Sequence, residues 1–217
     1  MTSSNSPVSK PRTGRRQKLK SLVRLFGPPL SPDEVAEPDH GLIELAQPAI
    51  KLLQAYFRAE VRGLDKLPEG QALIVGNHNA GITDFEPFFL GLAYYEQTGR
   101  LMHYLGHDAM VSLPVLGNLL IKLGGIRASH EAAGKAFAAG HKVVVLPGGN
   151  YEAFRPYKER YRIDFGRRTG FVRLALRHGV PIVPFVAIGG HESFFVWRRG
   201  RRLARITGVK RFLRSDS

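Results

Sequence analysis

A histidine and a carboxylate follow a short apolar run, and their types and spacing suit acid–base chemistry. The apolar run at residues 72–75 leads into Asn77 and His78, and Asp84 follows a short turn later. A carboxylate that orients an imidazole raises its basicity toward a hydroxyl group, so His78 and Asp84 are candidates for a general-base pair. The alternative is a turn in which Asn77 and His78 bond the local backbone and Asp84 caps the next helix. The segment alone leaves both interpretations open.

Paired glycines and nearby cations mark two further candidate contacts. Gly148 and Gly149 follow a second apolar run, and paired glycines let backbone amides approach a ligand closely. Arg155 and Lys158 stand close behind and could hold a phosphate or carboxylate group. Arg127 follows another glycine pair and is a further candidate anion contact; the alternative is a surface ion pair.

The elements that must position these residues alternate along the chain. Almost continuously apolar runs predict buried strands, and amphipathic stretches between them predict helices. The predicted strands are 72–75, 142–146 and 181–188, and the predicted helices are 84–97, 109–122, 129–139 and 167–178. This alternation indicates an α/β fold with one domain, a mixed and mostly parallel sheet, and flanking helices. Ligand sites of such sheets gather at the carboxyl ends of the strands, where the candidate residues lie.

The net charge of +14 is concentrated at the two ends of the 217-residue chain. Residues 1–24 hold seven Lys and Arg and no acid, and residues 198–217 hold eight against one acid. We therefore expect a basic, largely disordered arm and linker at 1–40, a catalytic domain at 41–197 and a basic tail at 198–217. Within the arm, the pattern of residues 18–26 is compatible either with a short basic amphipathic helix or with a solvated linker. In the domain that follows, the pattern of residues 42–58 predicts a longer helix.

Composition excludes several classes of site. The chain has no Cys, which excludes disulfides, thiolate nucleophiles and thiolate metal ligands. His103 and His107 lack an obvious third ligand beyond Asp108, so we expect no metal site and no cofactor. No segment has the pattern of a secretory signal or of a membrane-spanning helix.

Four motifs in order resemble the glycerolipid acyltransferase superfamily, the lysophosphatidic acid acyltransferases and their relatives. The resemblance runs from about residue 61 to residue 192. The motifs are Asn77-His78 with Asp84, Gly124-Gly125-Ile126-Arg127, Leu146-Pro147-Gly148-Gly149, and Val180-Pro181-Ile182-Val183-Pro184.

Two departures from the family pattern bear on the site. Five residues separate His78 from Asp84 where the family has four, so the turn must bulge, and Gly81 could absorb the bulge. Glu86 is the alternative orienting carboxylate. The third motif has Pro-Gly-Gly in place of Pro-Glu-Gly, which looks like the diacylglycerol and monoacylglycerol acyltransferase branch. Glu152 would then supply a polar side chain in place of the missing glutamate of the motif.

The resemblance implies transfer of an acyl chain from acyl-CoA or acyl carrier protein to a hydroxyl of a glycerolipid or lysophospholipid. His78 would take the hydroxyl proton, and Asp84 would fix the imidazole tautomer. No metal or cofactor is needed. The resemblance implies substrate or phosphate contacts for Asn77, Arg127, Gly148, Gly149, Glu152 and Arg155.

A lipid acceptor and basic ends together predict a peripheral membrane protein on the cytoplasmic side, bound to anionic lipids. The apolar residues of 115–121 and of the 42–58 helix are candidate lipid contacts. Two alternatives remain: a non-catalytic lipid-binding relative, and a basic nucleic-acid-binding protein. No nucleic acid is expected as a partner, because the sequence carries no recognisable nucleic-acid-binding motif.

Overall fold

A five-stranded parallel sheet with flanking helices forms the fold, in a computed structural model that describes residues 13–79, 85–193 and 195–197. The strands are β1 (Ala72–Gly76), β2 (Met102–Gly106), β3 (Gly125–Arg127), β4 (Lys142–Val145) and β5 (Ile182–Phe185). The helices are α1 (Arg15–Val23), α2 (His40–Tyr56), α3 (Glu86–Thr98), α4 (Asp108–Val111), α5 (Leu116–Lys122), α6 (His130–Ala138), α7 (Gly149–Ala153) and α8 (Gly170–His178). The strand order is β3-β2-β4-β1-β5. The predicted α/β class with a parallel sheet is confirmed.

The chain divides into two compact units. The first takes its described residues from Met1–Leu73 and Pro87–Val144, and the second from Ile74–Glu86 and Val145–Ser217. In the first unit, β2 pairs in parallel with β3 and with β4. Met102, Ile126 and Val143 of these strands are fully buried, so an apolar core lies at the centre of this unit. The sequence predicted β4 but neither β2 nor β3.

Two helices begin where side-chain caps dictate. Ser129 Oγ accepts a 3.0 Å bond from the Ala132 amide at the start of α6. Asp39 Oδ1 likewise accepts a 3.1 Å bond from the Leu42 amide at the start of α2. These bonds satisfy amides that lack a partner within the helix. The helices predicted at 129–139 and 42–58 are confirmed.

The single helix predicted at 109–122 is wrong. The structure has two short helices there, α4 and α5. Pro114 lies between them, and Val115 has a φ of +62°. A proline cannot donate the helical hydrogen bond, and a β-branched residue at positive φ is incompatible with a continuous helix.

Strand β5 lies at one end of the strand order and is less covered than its sequence indicates. Ile182 and Pro184 are exposed, and Val183 and Phe185 are half-buried. A proline inside a strand is typical of an edge, because it cannot donate to a neighbouring strand. The expectation that this run is covered on both faces is therefore wrong.

Residues 13–40 make specific contacts within the first unit, unlike the largely disordered arm that the sequence suggested. Asn118 of α5 is buried, its Oδ1 accepts from the Leu30 amide at 2.8 Å, and its Nδ2 donates to the Leu25 carbonyl at 3.0 Å. Ser21 donates a 2.6 Å bond to Asp39. Residues 1–12 and the predicted tail at 198–217 lie outside the described residues, and the domain boundaries stay a prediction.

Across the described part of the chain, every helix is too short or too polar to span a bilayer.

Candidate active site

His78 stands just beyond the carboxyl end of β1, in the second unit, and its ring is half-buried. The Nδ1 atom lies 3.1 Å from the carbonyl oxygen of Asn79. A carbonyl oxygen only accepts, so this bond places a proton on Nδ1 and, in the neutral ring, leaves Nε2 without one. An unprotonated Nε2 is the state that a general base requires.

The electrostatic surroundings of His78 favour its neutral form. Burial lowers the pKa of the imidazole below its usual value and is the largest influence. The bond to Asn79 and the negative charges of Glu152 and Glu86 oppose that decrease, whereas the charge of Arg155 adds to it. The net direction is downward, so the ring is ready to accept a proton near neutral pH.

The backbone of His78 is held on both sides by a buried ion pair. Its amide donates a 2.8 Å bond to Glu152 Oε2, and its carbonyl accepts a 3.2 Å bond from Arg155 Nη1. The two side chains are 3.1 Å apart and almost inaccessible to solvent. Glu152 also accepts from the Asp164 amide at 3.1 Å. The pair therefore positions His78 through its main chain.

Two asparagines connect the end of β1 to the segment after β5. Asn77 donates to the Ala187 carbonyl at 2.9 Å and accepts from the Ala187 amide at 2.8 Å. Asn79 donates to Glu86 Oε1 at 2.8 Å, and also to the Ala187 carbonyl at 3.2 Å. Both asparagines are buried. Their amides stabilise the strand end on which His78 sits.

The glycine pair after β4 occupies space that no side chain could share. A Cβ atom on Gly148 would lie 2.2 Å from Glu152 Oε2. Gly149 has a φ of +44°, and a Cβ atom there would lie 2.9 Å from Arg168 Nη1. The same Arg168 nitrogen donates to the Pro147 carbonyl at 3.1 Å. Arg168 thus fixes the turn that carries both glycines.

Arg127 belongs to the first unit, at the end of β3. Its side chain pairs with Asp33 at 2.8 Å and with Asp108 at 3.3 Å, and it is about one-third exposed. Two carboxylates neutralise the guanidinium, and an anionic ligand would have to compete with them. Its predicted phosphate contact stays a prediction.

The second unit brings most of the predicted site residues together: Asn77, His78, Gly148, Gly149, Glu152 and Arg155. Asp84 lies outside the described residues. Glu86, the alternative orienting carboxylate, bonds Asn79. Substrate contacts for Glu152 and Arg155 stay predictions, since both side chains are buried in bonds to protein groups.

Sequence reasoning missed three residues of this cluster. Asn79 directly follows His78, so its position in the sequence could have identified it. Arg168 orients the glycine turn, and His191 is buried with Nε2 2.9 Å from the Arg155 carbonyl. Nothing in the local sequence of Arg168 or His191 distinguishes them, because both act on residues distant along the chain.

Proteins of known sequence resemble this chain over most of its length. An uncharacterized protein of Mycobacterium tuberculosis is 32% identical over 84% of this chain and 52% of its own length. A second uncharacterized protein, from Mycobacterium leprae, is 35% identical over 73% of this chain and 44% of its own. The mouse protein named DGAT1/2-independent enzyme synthesizing storage lipids is 32% identical over 62% of this chain and 40% of its own length. The chain thus spans about half the length of the mycobacterial relatives.

No solved structure shows significant similarity to the chain. The family model described as Acyltransferase matches residues 58–188, which include every residue of the His78 cluster except His191. That span is more than half of the 217 residues, and it agrees with the resemblance carried by the four motifs. The chain belongs to the acyltransferase family.

Proposed function

We propose that the chain is an O-acyltransferase that works at a membrane surface with His78 as its general base. The observation that carries the proposal is the state of His78: Nδ1 is bonded to the Asn79 carbonyl, and burial lowers the pKa of the ring. A neutral imidazole that carries its proton on Nδ1 is what deprotonation of a hydroxyl by Nε2 requires. Family membership supports acyl transfer as the reaction class.

The proposed reaction proceeds in one displacement. The acceptor hydroxyl oxygen attacks the thioester carbonyl of acyl-CoA or acyl carrier protein as its proton passes to Nε2 of His78. The carbon–sulfur bond then breaks, and the departing thiolate takes the proton back from the imidazolium. The products are an ester and a free thiol. No covalent acyl-enzyme forms, which suits a site built on a base.

A carbonyl can orient the imidazole in this mechanism as a carboxylate does in others. The Asn79 carbonyl fixes the tautomer, and the charges of Glu152 and Glu86 stabilise the imidazolium that forms during reaction. Asp84 is proposed to add a second carboxylate. The backbone amides of the Gly148–Gly149 turn are proposed to stabilise the oxyanion.

Three features favour a neutral glycerolipid as the acceptor. The third motif has Pro-Gly-Gly, which resembles the diacylglycerol and monoacylglycerol acyltransferase branch. The mouse relative is named as an enzyme synthesizing storage lipids. Buried Arg155 and doubly paired Arg127 have their charges occupied, which also favours an acceptor without a phosphate.

Exposed apolar side chains on α1 and the turn after it support docking on a membrane. Leu19, Val23 and Phe26 are all more than half exposed, and they alternate with the exposed cations Lys20 and Arg24. Exposed apolar side chains beside lysine and arginine suit contact with an anionic lipid surface. Leu52 and Tyr56 of α2 are also exposed, whereas Ile121, a predicted lipid contact, is buried in the core.

The decisive test compares His78→Ala with His130→Ala, which removes an exposed histidine at the start of α6. Each purified full chain is mixed with labelled acyl-CoA or acyl carrier protein and with vesicles that contain one acceptor: monoacylglycerol, diacylglycerol, lysophosphatidate or a long-chain alcohol. Products are identified by mass spectrometry. We expect turnover to be lost in His78→Ala, kept in His130→Ala, and fastest with a neutral acylglycerol.

Three outcomes would contradict the proposal. Unchanged turnover in His78→Ala would exclude His78 as the base. Vesicle binding by the unaltered chain, with no turnover of any donor or acceptor, would favour the non-catalytic lipid-binding relative. Binding to duplex DNA at physiological salt that exceeds vesicle binding would favour the nucleic-acid alternative.

A further inference from the structure

Four aromatic side chains form an exposed cluster in the second unit, which we name the aromatic surface: Tyr157, Tyr161, Phe195 and Trp197. The exposed fractions are 69% for Tyr161, 61% for Phe195 and 74% for Trp197. The ring centroids of Tyr157 and Phe195 are 5.0 Å apart, and those of Phe195 and Trp197 are 6.1 Å apart. Large aromatic rings that stay together yet remain in water indicate a surface that meets a partner.

Specific bonds hold the aromatic surface together. The Tyr157 amide donates to the Val196 carbonyl at 2.8 Å, and Tyr161 donates its hydroxyl proton to Glu192 at 2.9 Å. The guanidinium of Arg160 lies 4.4 Å from the ring centroids of both Tyr157 and Tyr161. Two segments distant along the chain are thereby joined, so the arrangement is built by the fold.

The charge around these rings is positive. Residues 157–168 contain five Lys and Arg against two acids, and Lys158, Arg162 and Arg167 are exposed. In the sequence, Trp197 is followed by five arginines within eight residues. Tyrosine and tryptophan rings have an apolar body and a polar end, and next to lysine and arginine they suit the region between lipid headgroups and acyl chains.

We propose that the aromatic surface is a membrane-interface anchor of the second unit, which inserts Phe195 and Trp197 among the headgroups of an anionic lipid surface. The exposed cations Lys158 and Arg167 contact lipid phosphates while the rings displace water. The anchor is separate from the exposed side chains of α1, which belong to the first unit. It does not depend on acyl transfer, so it can fail or succeed independently of the proposed function.

The chain carries its own reporter for this proposal, because Trp197 is the single tryptophan. Its fluorescence is recorded while the full chain is titrated with phosphatidylcholine vesicles, with and without phosphatidylglycerol. A parallel titration uses phosphatidylcholine brominated on its acyl chains, together with phosphatidylglycerol. We expect a shift to shorter wavelength with the anionic vesicles and strong quenching by the brominated lipid, since bromine quenches only a ring that enters the bilayer.

Matched variants locate the contact on the aromatic surface. Phe195→Ser should weaken binding to anionic vesicles about tenfold, the scale expected when one large apolar side chain no longer leaves water. Ile188→Ser removes another exposed apolar side chain of the same unit and should change binding less than twofold, a shift on the order of a few tenths of a kcal/mol. Thermal unfolding of both variants checks that they are folded.

Three results would overturn the proposal. The chain could sediment with vesicles while Trp197 emission stays unshifted and unquenched, which would place membrane binding elsewhere. Ile188→Ser could weaken binding as much as Phe195→Ser, which would remove the role of the aromatic rings. Trp197 could respond to a single-stranded oligonucleotide at physiological salt but not to vesicles, which would assign the surface to nucleic acid, whose bases stack on exposed rings.

Discussion

The main-chain amide of His78 donates a 2.8 Å hydrogen bond to the buried carboxylate of Glu152. Glu152 lies on α7, directly after the glycine turn, and it forms an ion pair with Arg155, which bonds the His78 carbonyl. The proposed base is therefore held through its backbone amide and carbonyl by a buried ion pair. Its ring stays able to exchange a proton while its position is fixed.

The Glu152–Arg155 pair should dominate the stability of the second unit. Replacing Glu152 with Gln removes the carboxylate that pairs with buried Arg155, and breaking a buried pair costs about 3–5 kcal/mol. We expect a decrease of that size in the free energy of unfolding, measured by chemical denaturation. Adding Arg155→Met to Glu152→Gln should cost less than the sum of the single changes, because the two side chains contact each other directly.

An exposed ion pair of the same chain provides the control. Glu131 and Lys135 pair at 3.0 Å one turn apart on α6, and both side chains are largely exposed. Glu131→Gln should lower stability by less than about 0.5 kcal/mol, the usual size for a solvent-exposed helical pair. Equal losses in Glu131→Gln and Glu152→Gln would show that burial of the second pair has no energetic consequence.

The pH dependence of turnover should report the lowered pKa of His78. Only the neutral ring accepts a proton, so kcat/KM should rise with pH and level off after a midpoint below the usual histidine value. The negative charge of Glu86 raises the pKa of His78, whereas burial, the largest influence, lowers it. Glu86→Gln keeps an acceptor for Asn79 and removes the charge, and it should move the midpoint to lower pH.

A second neutralisation tests whether that shift is specific to Glu86. Asp65→Asn removes an exposed carboxylate that is not among the charges acting on the pKa of His78, and it should leave the midpoint in place. A midpoint that moves upward in Glu86→Gln would mean that the charge of Glu86 does not act on His78. If kcat/KM does not fall at low pH, turnover does not require a neutral imidazole.

The fold was predictable where local chemistry determines it. The apolar runs indicated β1 and β4, and the Ser129 cap placed the start of α6. The break between α4 and α5 was missed because apolar spacing continues across it, although Pro114 was a local sign; the positive φ of Val115 appears only in the structure. The coverage of β5 was missed because position at the edge of a sheet depends on pairing, although Pro184 was a local sign of it.

The candidate site divides in the same way. Motif spacing indicated His78, Glu152 and Arg155, but it assigned the last two to substrate. Their burial and their bonds to the His78 backbone arise from contacts between residues more than 70 positions apart. A single sequence does not show such contacts. The bond from His78 to the Asn79 carbonyl is local, and the alternative in which His78 bonds the nearby backbone anticipated it.

Buried His103 should make the stability of the fold decrease in acid. His103 of β2 is fully buried, and its ring stacks edge-to-face on His141 at 4.7 Å. Burial, assisted by the charge of His141, lowers the pKa of His103 to about 4 from 6.5. The unfolded chain therefore binds this proton first as pH falls, and stability should decrease between pH 6.5 and about 4. The loss from His103 alone is about 3 kcal/mol at the acid end.

Denaturation curves measured down to about pH 4 check this, with the onset near the ordinary histidine pKa of about 6.5. His103→Asn should flatten the decrease, whereas His130→Asn, which changes an exposed histidine of the same unit, should not. An unaltered slope in His103→Asn would assign the acid sensitivity to other groups.

Asn118 should determine whether α1 stays docked on the first unit. Its buried side chain bonds the Leu30 amide and the carbonyls of Leu25 and Gly27. Asn118→Ala leaves these backbone groups without their partner, at a cost of about 1–3 kcal/mol. Hydrogen exchange should therefore quicken across residues 13–30 while β2 and β4 keep their protection, because those strands are held by their own pairing.

Gln54→Ala, which removes an amide bonded to the Ala59 carbonyl at the end of α2, is the control and should leave exchange in residues 13–30 unchanged. Faster exchange throughout the first unit in Asn118→Ala would instead mean that this asparagine supports the whole unit.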